Sequence, residues 1–181
     1  MIDYSRLHRS IQFYESMGFK RIESPWTVTK SVSHITKPTD KTDWEILGKN
    51  KVLVASGEQS FLYLDLKGFL PEGKYQTITP CFRDEPFDQL HTKYFMKNEL
   101  IITDNVTESS LIWMISCCKN FLQQELGGEI EMIGTQDGYD LEYDGIEIGS
   151  YGIRTCEYLK WIYGTGIAEP RLTMINNIKN I

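Results

Sequence analysis

The sequence predicts an α+β fold, an antiparallel β-sheet flanked by helices. Three observations predict it. Apolar residues recur at helical spacing over residues 4–17 and 107–126, each run being followed by glycine. Two β-rich stretches, Tyr75–Phe82 and Tyr94–Ile102, flank a polar loop and read as an antiparallel pair. Asp144-Gly145 then sits between two further strand-like runs, as the turn of a hairpin does.

Taken in order, Leu7, Ile11, Tyr14 and Met17 form one stripe of the first helix, and Gly18 caps it. Phe19–Ile22 reads as a short strand that Pro25 ends. Residues 26–51 are polar and rich in Thr, Lys and Asp, and they read as an irregular excursion. Val52–Ala55 is a short apolar strand, Gln59–Leu66 fits helix or strand, and Gly68, Pro71 and Gly73 mark a turn. Beyond the second helix, residues 129–133, 139–143 and 145–153 read as strands. Thr155–Ile162 fits either a short helix or a continued strand, and Pro170 opens a closing helix.

A chain of 181 residues with 41% hydrophobic and 24% charged residues is expected to form one domain spanning 1–181. There is no run of eighteen apolar residues, and Met-Ile-Asp-Tyr-Ser-Arg is no signal peptide. A soluble, cytoplasmic protein without a membrane partner is expected. The net charge of −6, with Lys and Arg dispersed, argues against broad electrostatic binding of nucleic acid. Cys81, Cys117, Cys118 and Cys156 lack C-x-x-C spacing, so neither a disulfide framework nor a zinc site is expected.

The stretch Thr79–Leu100 carries charge where strands normally carry apolar residues. Alternation puts Arg83 with Glu85 on one sheet face, and Phe95, Lys97 and Glu99 share a face by the same rule. A face holding an arginine, two glutamates and an aromatic ring is a poor core and reads as a site, although Arg83 and Glu85 taken alone read first as a structural cross-strand ion pair.

Three separated segments resemble the class II aminoacyl-tRNA synthetases. Gly18-Phe-Lys-Arg-Ile-Glu-Ser-Pro25 after a helix is similar to motif 1. Phe82-Arg-Asp-Glu85 with His91-x-x-x-Phe95 is similar to motif 2, and Gly164-Thr-Gly-Ile-Ala-Glu-Pro-Arg171 to motif 3. The seryl-tRNA synthetase catalytic core resembles the chain most, through Phe95-x-Lys-x-Glu-Leu100, Glu147-Ile-Gly-Ser150 and Ser56-Gly-Glu58. The resemblance extends to the amino-acid:carrier-protein ligases. It also implies a minimal core without a tRNA-binding arm.

The resemblance implies activation of an amino acid as its adenylate, with ATP and Mg²⁺ as cofactors. Arg83 is implied at the α-phosphate and Arg171 at the γ-phosphate, as the catalytic pair; a guanidinium fork suits phosphate oxygens. Phe95 would stack under adenine, Glu85 would orient its amino group, His91 would touch the phosphate tail, and Gly166 would belong to the same ATP site. Glu147 and Ser150 would hold Mg²⁺. Glu58, Glu99 and Thr165 are implied at the amino acid, which is expected to be small; Tyr163 stands where the seryl family often has asparagine. Gly18, Phe19 and Pro25 are implied in a homodimer interface. The zinc cysteines of the carrier-protein ligases fall near Gly57 and Gly164, so no zinc is expected. The acceptor is left open between tRNA, carrier protein and small molecule, with tRNA not indicated by the charge. The alternative is a non-catalytic dimeric paralogue that binds nucleotide or regulates; Glu169-Pro170 before Arg171 leaves room for it.

Overall fold

The computed structural model describes residues 1–84, 88 and 90–179, with Lys179 through its backbone. The chain begins with α1 (Tyr4–Ser16), β1 (Lys20–Arg21), β2 (Thr27–Thr29) and α2 (Lys30–Thr36). Then come β3 (Lys51–Leu53), α3 (Gly57–Leu66), β4 (Lys74–Phe82), β5 (Tyr94–Ile102) and α4 (Glu108–Leu126). The last elements are β6 (Glu131–Gly134), β7 (Tyr139–Tyr143), β8 (Ile146–Thr155), β9 (Lys160–Glu169) and α5 (Arg171–Lys179).

Among the described residues, seven strands form one sheet in the order β1-β4-β5-β9-β8-β7-β6, while β2 and β3 pair separately. Only β1 runs parallel to its neighbour; every other pairing in the large sheet is antiparallel. One face is covered by a core that includes Leu7 and Tyr14 of α1, Met114 and Phe121 of α4, and Leu172 and Ile175 of α5. The opposite face is covered over one end, where Val32, Phe61 and Leu62 pack on Ile101, Trp161 and Tyr163. The rest of that second face carries Phe95, Lys97, Ser150 and Thr165 into cavities.

Local chemistry accounts for the helix limits. Asp3 accepts a hydrogen bond from the Arg6 amide at the start of α1, and Thr107 accepts one from the Ser110 amide at the start of α4. Gly127 ends α4 in the left-handed region, at φ +70°. Ser56 caps α3 by accepting from the Glu58 amide, which settles 57–66 as helix.

The structure corrects the reading of two segments. Residues 26–51 are not wholly irregular: Val28, Val32 and Val52 are buried beneath α3, so burial orders β2, α2 and β3 despite a polar composition. Residues 155–162 are neither a helix nor one continued strand. Thr155 ends β8, and Lys160 begins β9, which passes through Gly164 and Gly166 to Glu169. Both glycines lie within the strand. Gly166 is the extra residue of a bulge, since Asn98 pairs with Ile167 while Glu99 pairs with Thr165. The bulge reverses side-chain parity along β9. Gly164 and Ile167 face the α1–α4 side, and Ala168 reaches the open face beside the first cavity.

Candidate active site

Two cavities open on the free part of the sheet, and both are lined by Arg83, Lys97 and Ser150. The first also takes His91 from the loop, Phe95 from β5, Glu147 and Gly149 from β8, Thr165 from β9 and Arg171 from α5. The second has a volume of about 220 Å³ and is lined by Ser56, Glu58, Glu99, Arg154 and Tyr163, under the segment from Thr36 to Thr42.

Arg83 lies one residue beyond β4. Its amide donates to the Lys93 carbonyl at 3.0 Å and its Nε donates to the Ala55 carbonyl at 3.2 Å. Its guanidinium sits 5.1 Å from the centroid of the Phe95 ring. The backbone thus holds one edge of the fork, and the terminal nitrogens belong to a group that lines both cavities. Arg171 opens α5 and donates from Nη1 to the Glu147 carbonyl at 3.1 Å, with the Glu147 carboxylate 3.8 Å away. Arg83 and Arg171 therefore stand on the walls of the same cavity, which Phe95 also lines.

His91 belongs to a tight polar turn. Asp88 accepts from the amides of Leu90 and His91, both at 2.7 Å, and its carboxylate lies 2.8 Å from His91 Nδ1. The Leu90 amide, followed by the His91 ring and amide, holds the Asp88 carboxyl below its usual range. Glu85 lies outside the described residues.

The second cavity contains two ion pairs. Glu99 is 1% exposed; its Oε1 is 2.9 Å from Lys97 Nζ, and its Oε2 accepts from the Ser56 hydroxyl at 3.0 Å. Glu58 is 4% exposed and accepts from Arg154 Nη1 at 2.5 Å and from the Trp161 indole at 2.7 Å. Burial pushes the Glu58 carboxyl up, against the pull of Arg154 and with the push of Glu99. Arg154 lies over the Tyr163 ring, 4.0 Å from its centroid.

Three expected placements are corrected. Gly166 is not brought to a cavity: an added Cβ would face Tyr14 and the Asn98 backbone, and its carbonyl accepts from the Tyr14 hydroxyl at 2.8 Å. Thr165 lines the first cavity and not the second, with its Oγ1 accepting from the Ser150 amide at 3.3 Å. Phe19 is 1% exposed and stacks on Trp113, so its ring has almost no surface to give a second copy. Gly18 ends α1 at φ +90°, and the Pro25 carbonyl accepts from the Ser60 hydroxyl.

Two lining residues were not singled out from sequence for a role. Lys97 was seen only as sharing a face with Phe95 and Glu99. Arg154 belongs to no motif, although counting by twos from Ser150 along β8 puts both on one face. The partner that gives Arg154 meaning, Glu58, lies 96 residues away.

Glu147 and Ser150 offer a carboxylate and a hydroxyl to the first cavity. No group of three or more His, Cys, Asp or Glu that could hold a metal occurs among the described residues. A carboxylate and a hydroxyl are oxygen donors of the kind a hard cation such as Mg²⁺ accepts, one or two from protein with phosphates and water completing its shell. No described helix is long and apolar enough to cross a membrane.

The fold is similar to that of solved class II aminoacyl-tRNA synthetase catalytic domains. No family model and no curated protein matches the sequence; the likeness is among solved structures. Pyrrolysyl-tRNA synthetase from Desulfitobacterium hafniense superposes with a TM-score of 0.75 at 18% identity, over 96% of this chain and 69% of that one. The cytoplasmic serine-tRNA ligase from Naegleria fowleri, in complex with AMP, gives 0.71 at 19% identity, over 93% and 51%. Seryl-tRNA synthetase from Pyrococcus horikoshii, complexed with ATP, gives 0.70 at 20% identity, over 93% and 49%. The chain thus spans about half to two thirds of the solved chains it matches. At these identities the likeness establishes the fold.

Proposed function

We propose that this chain activates a small amino acid as its aminoacyl-adenylate, using ATP and Mg²⁺. The observation that carries the reading is the junction of the two cavities at Arg83, Lys97 and Ser150. One cavity has an aromatic ring under an arginine and a second arginine on its far wall. The other has carboxylates and a hydroxyl suited to an ammonium group. The structure neighbours solved with AMP and with ATP support a nucleotide in the first cavity.

In this reading adenine stacks on Phe95 and the triphosphate runs toward Arg171. An oxygen of the amino acid's carboxylate attacks the α-phosphorus. The bond to the bridging oxygen breaks, and its electron pair leaves with pyrophosphate. The two anions must approach, and Arg83 and Lys97 at the junction lower that cost by neutralising charge where it accumulates. Arg83 is pre-oriented by the Ala55 carbonyl, so little reorganisation accompanies the step. Mg²⁺ bound by Glu147 and Ser150 would supply further neutralisation of the phosphates. Glu99 and Ser56 hold the ammonium end. The acyl group then passes to an acceptor, a tRNA, carrier protein or small molecule. A homodimer belongs to the same reading, with the Phe19 ring buried within the protomer.

Exchange of labelled pyrophosphate into ATP, dependent on one amino acid and lost in Arg83→Ala, is the expected result. Well-folded wild-type protein that exchanges with none of the twenty amino acids rejects the reading.

A further inference from the structure

We propose that Arg154 reads an acidic side chain on the amino acid, so that the substrate is a small dicarboxylic one. The inference rests on the adenylation reading and concerns the end of the second cavity away from the nucleotide. Ser150, at the junction, and Arg154 lie on the same face of β8, four residues apart, or about 13 Å of strand. Gly152 lies between them without a side chain, and Tyr163 lies across it: a Cβ on Gly152 would stand 2.8 Å from the tyrosine oxygen. Because the Arg154 guanidinium rests on that tyrosine ring, 4.0 Å from its centroid, it leans back over Gly152 toward the junction, so the short side chain of a substrate whose α-carboxylate sits there extends toward it.

Arg154 is built to read and not merely to fill space. Glu58 takes one Nη1 hydrogen at 2.5 Å, and the plane rests on Tyr163 at 4.0 Å. Guanidinium has five N–H donors, and Glu58 is the hydrogen-bond acceptor it meets among the described residues. Its orientation is set from two sides, while the side chain keeps 36% exposure toward the cavity it lines. A fixed fork with donors to spare matches a carboxylate in two-point contact.

The charge around the cavity has the same sign of preference. Lys37, Lys41, Arg83, Lys97 and Arg154 face Glu58, Asp84 and Glu99. Lys37 is engaged by Asp43 at 3.0 Å, outside the lining. By the same rule Lys41, 4.0 Å from Asp40, and Asp84, 3.9 Å from Lys93, are engaged outside the lining, and Arg83, Lys97 and Arg154 remain against Glu58 and Glu99. The α-carboxylate and α-ammonium of any amino acid cancel, so an acidic side chain offsets the excess and a basic one increases it.

The test uses the full chain and free amino acids as probes: aspartate, glutamate, asparagine, glutamine, serine and lysine. Each is measured by pyrophosphate exchange and by calorimetric binding with the wild type and with Arg154→Gln, after circular dichroism has confirmed that the variant folds. The expected result is exchange with aspartate or glutamate, with KM for that acid raised roughly 10- to 100-fold in the variant and KM for ATP unchanged. Preference of the wild type for serine, lysine or an amide over both acids overturns the inference and leaves adenylation standing. No exchange with any of the twenty amino acids, but acid binding that Arg154→Gln abolishes, rejects adenylation and supports the acidic subsite. Absence of acid binding and of exchange with any of the twenty overturns the two together.

Discussion

Removal of the Glu169 carboxylate should be among the most damaging single changes outside the cavities. Glu169 is fully buried; one of its oxygens bonds Arg6 Nη1 of α1, and the other accepts from the Thr173 hydroxyl of α5 at 2.8 Å. Arg6 is itself buried, and its other ion pair of short reach is Glu125 of α4, 3.1 Å from Nε. Glu169→Ala therefore leaves a buried guanidinium with half its neutralisation. Breaking a buried pair from one side typically costs about 3–5 kcal/mol. Because Glu125 remains, the expected loss is at the lower end, about 3 kcal/mol, read by urea unfolding. Arg6→Met combined with Glu169→Ala should cost less than the sum of the singles by at least about 1 kcal/mol. A single-variant loss below about 1 kcal/mol, or strict additivity, refutes the buried-pair account. Glu169 also lies two residues before Arg171, so the conservative Glu169→Gln should raise KM for ATP more than KM for the amino acid.

Three further outcomes are expected. Gly57→Ala puts a Cβ 2.6 Å from Glu99 Cβ and 2.9 Å from Thr79 Cγ2; overpacking should cost about 1–3 kcal/mol and weaken amino-acid binding, and a variant of unchanged melting temperature contradicts this. The Glu125 carboxyl is held below its usual value of 4.5, chiefly by the Arg9 hydrogen bond, with burial opposing. A depressed carboxyl contributes stability above its unfolded value and loses it as pH falls through the folded one. Glu125→Gln should therefore be about 1 kcal/mol less stable than wild type near neutral pH, with the gap closing below pH 4.5; a gap independent of pH rejects the assignment. Arg83→Lys keeps the charge but loses the fork held by Ala55 and the stack on Phe95. Its kcat in exchange should fall roughly 100-fold, and a variant within a few-fold of wild type would remove Arg83 from the reacting phosphate.

Sequence by itself determined the elements whose signals are local. The stripe Leu7, Ile11, Tyr14, the stop Gly127 and the Asp144-Gly145 turn need no distant partner, because periodicity and φ preference act within a few residues. α1, α4, the β4–β5 pair and the β7–β8 hairpin were legible for that reason, as was the charged face of β5. What depended on long-range burial was not. Residues 26–51 look irregular until Val28, Val32 and Val52 find Phe61 and Leu62. β9 was hidden because Gly164 and Gly166 give no strand signal of their own, whereas the sheet uses Gly166 as a bulge and buries Gly164 against Met114 and Tyr151.

The site divides the same way. Arg83, Phe95, Glu147 and Arg171 were visible as chemistry in unusual places, and the fold brings them to one cavity. Arg154 against Glu58 and Arg6 against Glu169 join residues 96 and 163 positions apart. Neither pair leaves a trace in local pattern, since a buried charge is tolerated only once its partner has been delivered by the fold. Local sequence thus set which groups were available. Tertiary structure alone decided which of them meet, because desolvation forces each buried charge to its counterion.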